Sequence, residues 1–211
     1  MVKNISSLAV QALKEEYPRV FCSLEYVYDY QLLVAVRLAA QCTDKRVNEV
    51  TRVLFSRFPS LSCLAQAQQS EVEEIVRPCG FFRNKAHDII KMSHLLIERF
   101  DSRVPDNMTD LISLPGVGRK TANLILGDIY KKPAVVVDTH CMRITRKLGL
   151  HNSKNPYIIE KILWSLLPPE ESNDFCHRLV MHGRLVCKAA LPKCQFCCMR
   201  SFCQGNIMCA N

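Results

Sequence analysis

The chain has 211 residues, enough for one or two compact domains with a real core. Hydrophobic residues at 48% and charged residues at 23% exclude wholesale disorder, and only 7 glycines disfavour a turn-rich β-sandwich. A formal charge of +8 suits a polyanionic partner, nucleic acid being the commonest, and equally a plain solvated basic surface.

Helical punctuation then recurs in chain order. Ser7 to Glu16 is amphipathic and stops at Tyr17-Pro18. Asp29 is expected to cap a helix through Leu32, Leu33, Val36 and Ala40; this run is broken by Arg37 and is too short to span a bilayer. Thr43-Asp44 starts the next, with Val47, Val50, Leu54 and Phe58 at helical spacing. Ser70 with Glu73 reads as a capping box for a short helix ending at Pro78. Ala86, Ile89, Ile90, Leu96 and Ile97 mark a longer helix before Pro105, and Asp110 to Leu114 a short turn before Pro115. Thr121 to Ile129 is helical, Val135 to Val137 a buried connector, Asn155-Pro156 a helix start, and Ser172 to Cys187 the last helix. The expectation is an all-α protein of about ten helices.

The N-terminus carries Lys3, Lys14, Glu15 and Glu16 and lacks a secretory pattern. A cytoplasmic location is expected, nucleoid-associated in a bacterium. Of 12 cysteines, 7 fall from Cys176 onward. In a reducing compartment such clustering favours metal binding over disulfides. Cys187, Cys194, Cys197 and Cys203 follow the pattern C-x6-C-x2-C-x5-C around Pro192. Four thiolates suit zinc or a [4Fe–4S] cluster, although a zinc ribbon prefers two C-x2-C pairs. Cys22, Cys42, Cys63, Cys79, Cys141 and Cys176 read as core residues, and Cys198 and Cys209 lie off the spacing.

Leu114-Pro115-Gly116-Val117-Gly118-Arg119-Lys120-Thr121 lies between two helical segments. Pro115-Gly116 makes a tight turn, Gly118 lets a ligand approach the backbone, and the helix N-terminus that follows suits a phosphate oxygen. The glycine spacing is not that of a Walker loop. Lys120 falls in the first helical turn, and Asp138 follows in Val137-Asp138-Thr139-His140. A lysine attacks only as the free amine, so a cleft and a proton acceptor are needed to work against its reference pKa of about 10.4. Read without such a cleft, Lys120 is a solvated helix lysine and Asp138 a helix cap.

Together these segments resemble the endonuclease III family of helix-hairpin-helix DNA glycosylases. The matching stretches are Leu38 to Asp44, Leu114 to Asn123, Val137 to His140, and His182-Gly183-Arg184 running into the four cysteines. The resemblance implies two helical lobes: a six-helix barrel with the hairpin over residues 21–130, and residues 1–20 plus 131–211 carrying a [4Fe–4S] cluster on Cys187, Cys194, Cys197 and Cys203. A cleft between them would receive a base flipped from damaged or abasic duplex DNA. Lys120 would attack C1′, release the base, form a Schiff base and cut the strand by β-elimination, with Asp138 assisting; the lesions would be oxidised pyrimidines. Gln41 would fill the gap in the duplex and Phe81 wedge into the stack. Gly116 and Gly118 would meet phosphate, with His140 and Lys193 as further DNA contacts, and the protein would act as a monomer.

Arg37 departs from the family, which usually has an apolar residue there where adenine glycosylases place a catalytic glutamate. Arginine cannot do that proton work, which argues against adenine removal. Asp128 replaces the more usual asparagine. Two rival readings remain at this point: a glycosylase of the same superfamily with shifted base specificity, using Arg37, and a non-catalytic zinc-clasped DNA-binding protein.

Overall fold

The structure is a computed structural model that describes residues 2–207, leaving Cys209 outside the described residues. Among those residues there are twelve α-helices, three single 3-10 turns and no strand. The excess over the ten expected comes from single turns such as Leu61–Ala65 and Gln204–Ile207, too short to show a hydrophobic period. No helix among the described residues is long and apolar enough to cross a membrane. The chain divides into two compact units: Cys22–Tyr130, and Met1–Phe21 together with Lys131–Asn211.

The first unit holds α2 (Asp29–Ala39), α3 (Asp44–Arg57), α4 (Leu61–Ala65), α5 (Gln69–Val76), α6 (Phe82–Phe100), α7 (Met108–Ser113) and α8 (Arg119–Asp128). Thr43 caps α3 as expected, its hydroxyl accepting from Arg46 N. Two expected caps are corrected. Tyr28, not Asp29, precedes α2, because the buried Gln31 reaches back and its Oε1 accepts from Val27 N (2.8 Å) and Tyr28 N. Asp29 instead places its carboxylate in the first turn, where the helix dipole favours it. Ser70 lies inside α5, which starts one residue earlier after Gln68, whose carbonyl already accepts from Glu71 N and Val72 N. The core gathers one face of each long helix: Leu32, Leu33 and Leu38 of α2, Val47 and Leu54 of α3, Ile89, Met92 and Leu96 of α6, and Ala122 and Ile125 of α8.

The second unit joins α1 (Val2–Glu16) to α9 (Thr139–Lys147), α10 (Pro156–Leu166), α11 (Ser172–Leu185) and α12 (Gln204–Ile207). α1 buries Ile5, Ala9, Val10 and Leu13, a single helical face, against α10 and α11. Arg178 of α11, 2% exposed, secures the end of α1: its Nε donates to Tyr17 O (3.1 Å) while its other nitrogens pair with Glu171 (2.8 Å) and Asp174. Glu171 also pairs with Lys14. Ala134 to Val137 form the expected buried connector, with Ala134 N donating to the Ser172 hydroxyl. Asn155 caps α10 by accepting from Tyr157 N, and Pro156 follows at the first helical position.

Candidate active site

The hairpin is a β-turn closed by Val117 N donating to Leu114 O (3.2 Å). Gly116 has φ +71, so proline and a left-handed glycine occupy the two central positions that a type II turn requires. Leu114 and Val117 are buried and anchor the turn from below. A side chain at Gly116 would run into the guanidinium end of Arg37 and the Asp88 carboxylate. Those two are paired: Arg37 Nε donates to Asp88 Oδ2 at 2.8 Å, with Nη2 at 2.7 Å. Gly118 precedes α8 in extended backbone, and a Cβ there would meet nothing within 4 Å. Lys120 is exposed at the second residue of α8.

Gln41 and Phe81 belong to the same unit as the hairpin. Gln41 is exposed with φ 56 just beyond α2, and Phe81, 66% exposed with φ 47, precedes α6. A left-handed backbone is unfavourable for a residue with a side chain, and an exposed phenyl ring leaves apolar area in water. Both strains fall on residues that the resemblance sends into DNA.

In the other unit, Asp138 caps α9, its Oδ1 accepting from Cys141 N at 2.7 Å. The cap role considered for it from sequence is therefore real. It leaves the remaining carboxylate oxygen available to a proton or a charge. His140, two residues on, lies against α11 at Gly183: a Cβ on Gly183 would sit 2.2 Å from His140 Nδ1. The glycine of His182-Gly183-Arg184 thus makes room for the imidazole of the aspartate motif.

Cys187, Cys194, Cys197 and Cys203 all line one cavity, with Lys147 and Arg200 at its wall. Among the described residues no three His, Cys, Asp or Glu side chains come close enough to hold a single metal ion. Four thiols facing one cavity form a donor set that suits a metal centre, and both zinc and an iron–sulfur cluster accept four thiolates. Burial pushes the Cys197 thiol up to about 11 and raises that of Cys187, which Lys147 and Arg143 oppose. His182 is wholly buried behind them, and burial holds its imidazole down at about 4. Its Nε2 is 3.3 Å from Cys197 Sγ and its Nδ1 3.1 Å from the Tyr17 hydroxyl. With the hydroxyl donating to Nδ1, the neutral ring presents an N–H to the sulfur. Lys193 is exposed in the same loop.

Residues 34–169 match the HhH-GPD superfamily of base excision DNA repair proteins. The chain is 44% identical over 192 residues to endonuclease III of Synechocystis sp., covering 90% of this chain and 88% of that protein. The chain belongs to the endonuclease III family.

Two solved endonuclease III structures align over the whole of both chains. One is a non-covalent DNA complex (34% identity, TM-score 0.94) and the other a trapped covalent DNA intermediate (33%, 0.95). Membership makes the chain a base excision repair enzyme, a DNA glycosylase with abasic-site lyase activity, on an all-α framework. The endonuclease III pattern in the sequence pointed to the hairpin, the lysine and the cysteines, but not to what braces them. Asp88 behind the hairpin, Tyr17 behind His182, and Arg143, whose guanidinium donates to Cys187 O, carry no motif of their own. Arg37 alone gave a signal, as a charge interrupting an apolar helix.

Proposed function

We propose that this protein removes oxidised pyrimidines from duplex DNA and then cuts the strand through a lysine Schiff base. The observation that carries the reading is Lys120, exposed in the first turn of the helix that the hairpin feeds. The trapped covalent DNA intermediate of a relative supports a covalent step. In this scheme the neutral Lys120 Nζ attacks C1′ of the damaged nucleotide and the C1′–N bond to the base breaks. The base leaves with the electron pair and takes up a proton. The nitrogen gives up one of its two protons, and the C1′–O4′ bond then breaks with O4′ taking a proton, which opens the sugar ring and leaves an iminium that keeps one N–H. Removal of a C2′ proton then expels the 3′ phosphate, cutting the strand on the 3′ side of the lesion. Asp138 is assigned the proton traffic, since one of its oxygens stays fixed by the Cys141 amide while the other is available.

Gln41 fills the vacated position in the duplex and Phe81 enters the stack. The amides at Gly116 and Gly118, together with His140 and Lys193, bind backbone phosphates. The protein acts as a monomer in the cytoplasm, on bacterial nucleoid DNA. Cys187, Cys194, Cys197 and Cys203 hold a [4Fe–4S] cluster, which when bound supplies the cross-link that shapes their loop and its basic edge. The zinc-clasped alternative predicts zinc without acid-labile sulfide; metal and sulfide analysis of the purified protein separates the two.

The deciding experiment is borohydride trapping on two labelled duplexes, one with an abasic site and one with thymine glycol. Adducts on both, lost in Lys120→Ala, are expected. Adducts on the abasic duplex alone would keep the lyase and move the substrate to another lesion. Trapping that survives Lys120→Ala would remove the assigned nucleophile.

A further inference from the structure

Lys85 is 1% exposed and heads the largest fully buried side chains. Ordinary chemistry opposes this twice. Its place in the first turn of α6 sets a cation at the positive end of the helix dipole. An ammonium also leaves water at great cost unless each N–H finds an acceptor. The three N–H groups do find acceptors, all of them main-chain carbonyls: Leu38 O at 2.9 Å, Ala40 O at 2.8 Å and Cys79 O at 2.8 Å. Leu38 lies in the last turn of α2 and Ala40 is its C-cap, where carbonyls lack helical partners and carry the negative end of the helix dipole. Cys79 ends the 3-10 turn Arg77–Cys79.

The placement of these bonds is what a purely stabilising residue would not need. Ala40 is the residue before Gln41, and Cys79 stands two before Phe81. Phe81 is itself the N-cap of α6, its carbonyl accepting the first helical bond from Lys85 N at 3.1 Å. Gln41 and Phe81 are left-handed non-glycine residues, a conformation kept only where the surroundings over-determine it. One buried cation therefore ties together the two segments that carry the two strained, exposed side chains.

We propose that Lys85 is a positioning residue for base extrusion: its ammonium locks Leu38–Gln41 to Cys79–Phe81, so that Gln41 and Phe81 enter the duplex as one rigid unit. This rests on the assignment of Gln41 and Phe81 as the inserting residues. Insertion needs side chains held to about 0.5 Å, and a misplacement of about 1 Å costs on the order of 100-fold in rate. Lys85 contributes no atom to the reaction at C1′, so its loss harms only substrates whose base stack must be entered.

The test compares wild type with Lys85→Met, which keeps length and removes the donors. Substrates are a duplex with an abasic site opposite 2-aminopurine and a single-stranded abasic oligonucleotide, which offers no stack to fill. The variant is expected to lose the 2-aminopurine fluorescence rise and at least 10-fold in single-turnover rate on the duplex, while staying within 2-fold on the single strand. Added to a Gln41→Ala/Phe81→Ala background, it is expected to slow the duplex reaction by no more than a further 2-fold. Equal losses on both substrates, or full additivity in that background, would overturn the proposal. A Gln41→Ala/Phe81→Ala protein as fast as wild type on the duplex would instead remove the insertion reading, and the role of Lys85 with it.

Hydrogen exchange on the wild-type protein answers the same question without any variant. The amides of Cys42 and Gly80, bonded to Ala39 O and Arg77 O, should open together if one clamp holds both segments. Exchange protection differing by more than 10-fold between them would overturn the clamp.

Discussion

The Arg37 guanidinium, paired with Asp88 at 2.7 Å, fills the space that a side chain at Gly116 would occupy. A residue that looks foreign in an apolar helix is therefore part of the support of the hairpin turn. Its charge is engaged inside its own unit, where Asp88 takes up both Nε and Nη2. Arg37→Ala should destabilise the protein by about 1–3 kcal/mol, because Asp88 would lose its partner at a site with side-chain exposures of 15% and 20%. Denaturant unfolding of Arg37→Ala, Asp88→Ala and the double variant should give a double variant milder than the sum. Strict additivity would show that the two are not coupled.

Gly118 offers the opposite case. Its backbone is extended and open space surrounds the missing Cβ, so Gly118→Ala should cost at most about 1 kcal/mol, the weak preference of a helix start for glycine over alanine. DNA affinity should nonetheless fall about 10-fold or more, since the added methyl obstructs the approach of a phosphate to the amides. Thermal melting and fluorescence anisotropy on the same preparation check both halves; unchanged affinity would free Gly118 of any DNA role.

Asp138 has a structural duty and a proposed chemical one, and asparagine separates them. Asparagine caps helices as well as aspartate does but cannot take a proton. Asp138→Asn should therefore melt within about 1 °C of wild type while the single-turnover rate falls 100-fold or more. Asp138→Ala should lose the rate and, in addition, about 1 kcal/mol of stability from the uncapped α9. A slow Asp138→Asn that also melts early would mean that the cap explains the loss.

Glu171 provides a pH signature. Hydrogen bonds from Lys14, and then from Arg178, hold its carboxyl below the ordinary 4.5. With a folded value lower than the unfolded one, the stabilisation is complete above about pH 4.5 and disappears as pH falls through the folded value. Acid should accordingly loosen α1 from the unit that Arg178 completes. Urea unfolding from pH 6 down to pH 3 should show a smaller loss for Glu171→Gln, which is less stable at neutral pH and has no such charge to lose. Parallel curves would remove Glu171 from the acid response.

Local chemistry was readable and distant chemistry was not. Thr43 and Asn155 were legible as helix starts because a cap is decided within three residues of chain. Asp29 and Ser70 misled because helix starts are also fixed by side chains reaching back, as Gln31 does from a buried position. The hairpin, Lys120 and the four cysteines stood out because their chemistry requires fixed spacing. Lys85 left no trace, since a lysine early in a helix reads as solvated, and two of its three acceptors come from residues more than forty positions away. Arg37 was visible as an anomaly, but its meaning waited on Asp88, 51 residues distant.

α1 belongs with α10 and α11, yet the whole of Cys22–Tyr130 lies between them in the chain. During synthesis the inserted unit is complete before either partner of α1 exists. At about 5–20 residues per second, the roughly 140 residues separating Glu16 from Pro156, where the first partner begins, take on the order of 7–30 s to emerge. Throughout that interval Ile5, Ala9, Val10 and Leu13 have no surface of their own to cover. The nascent chain thus carries an apolar helix face uncovered until the last third of synthesis, so α1 docks only after the inserted unit has had its chance to fold.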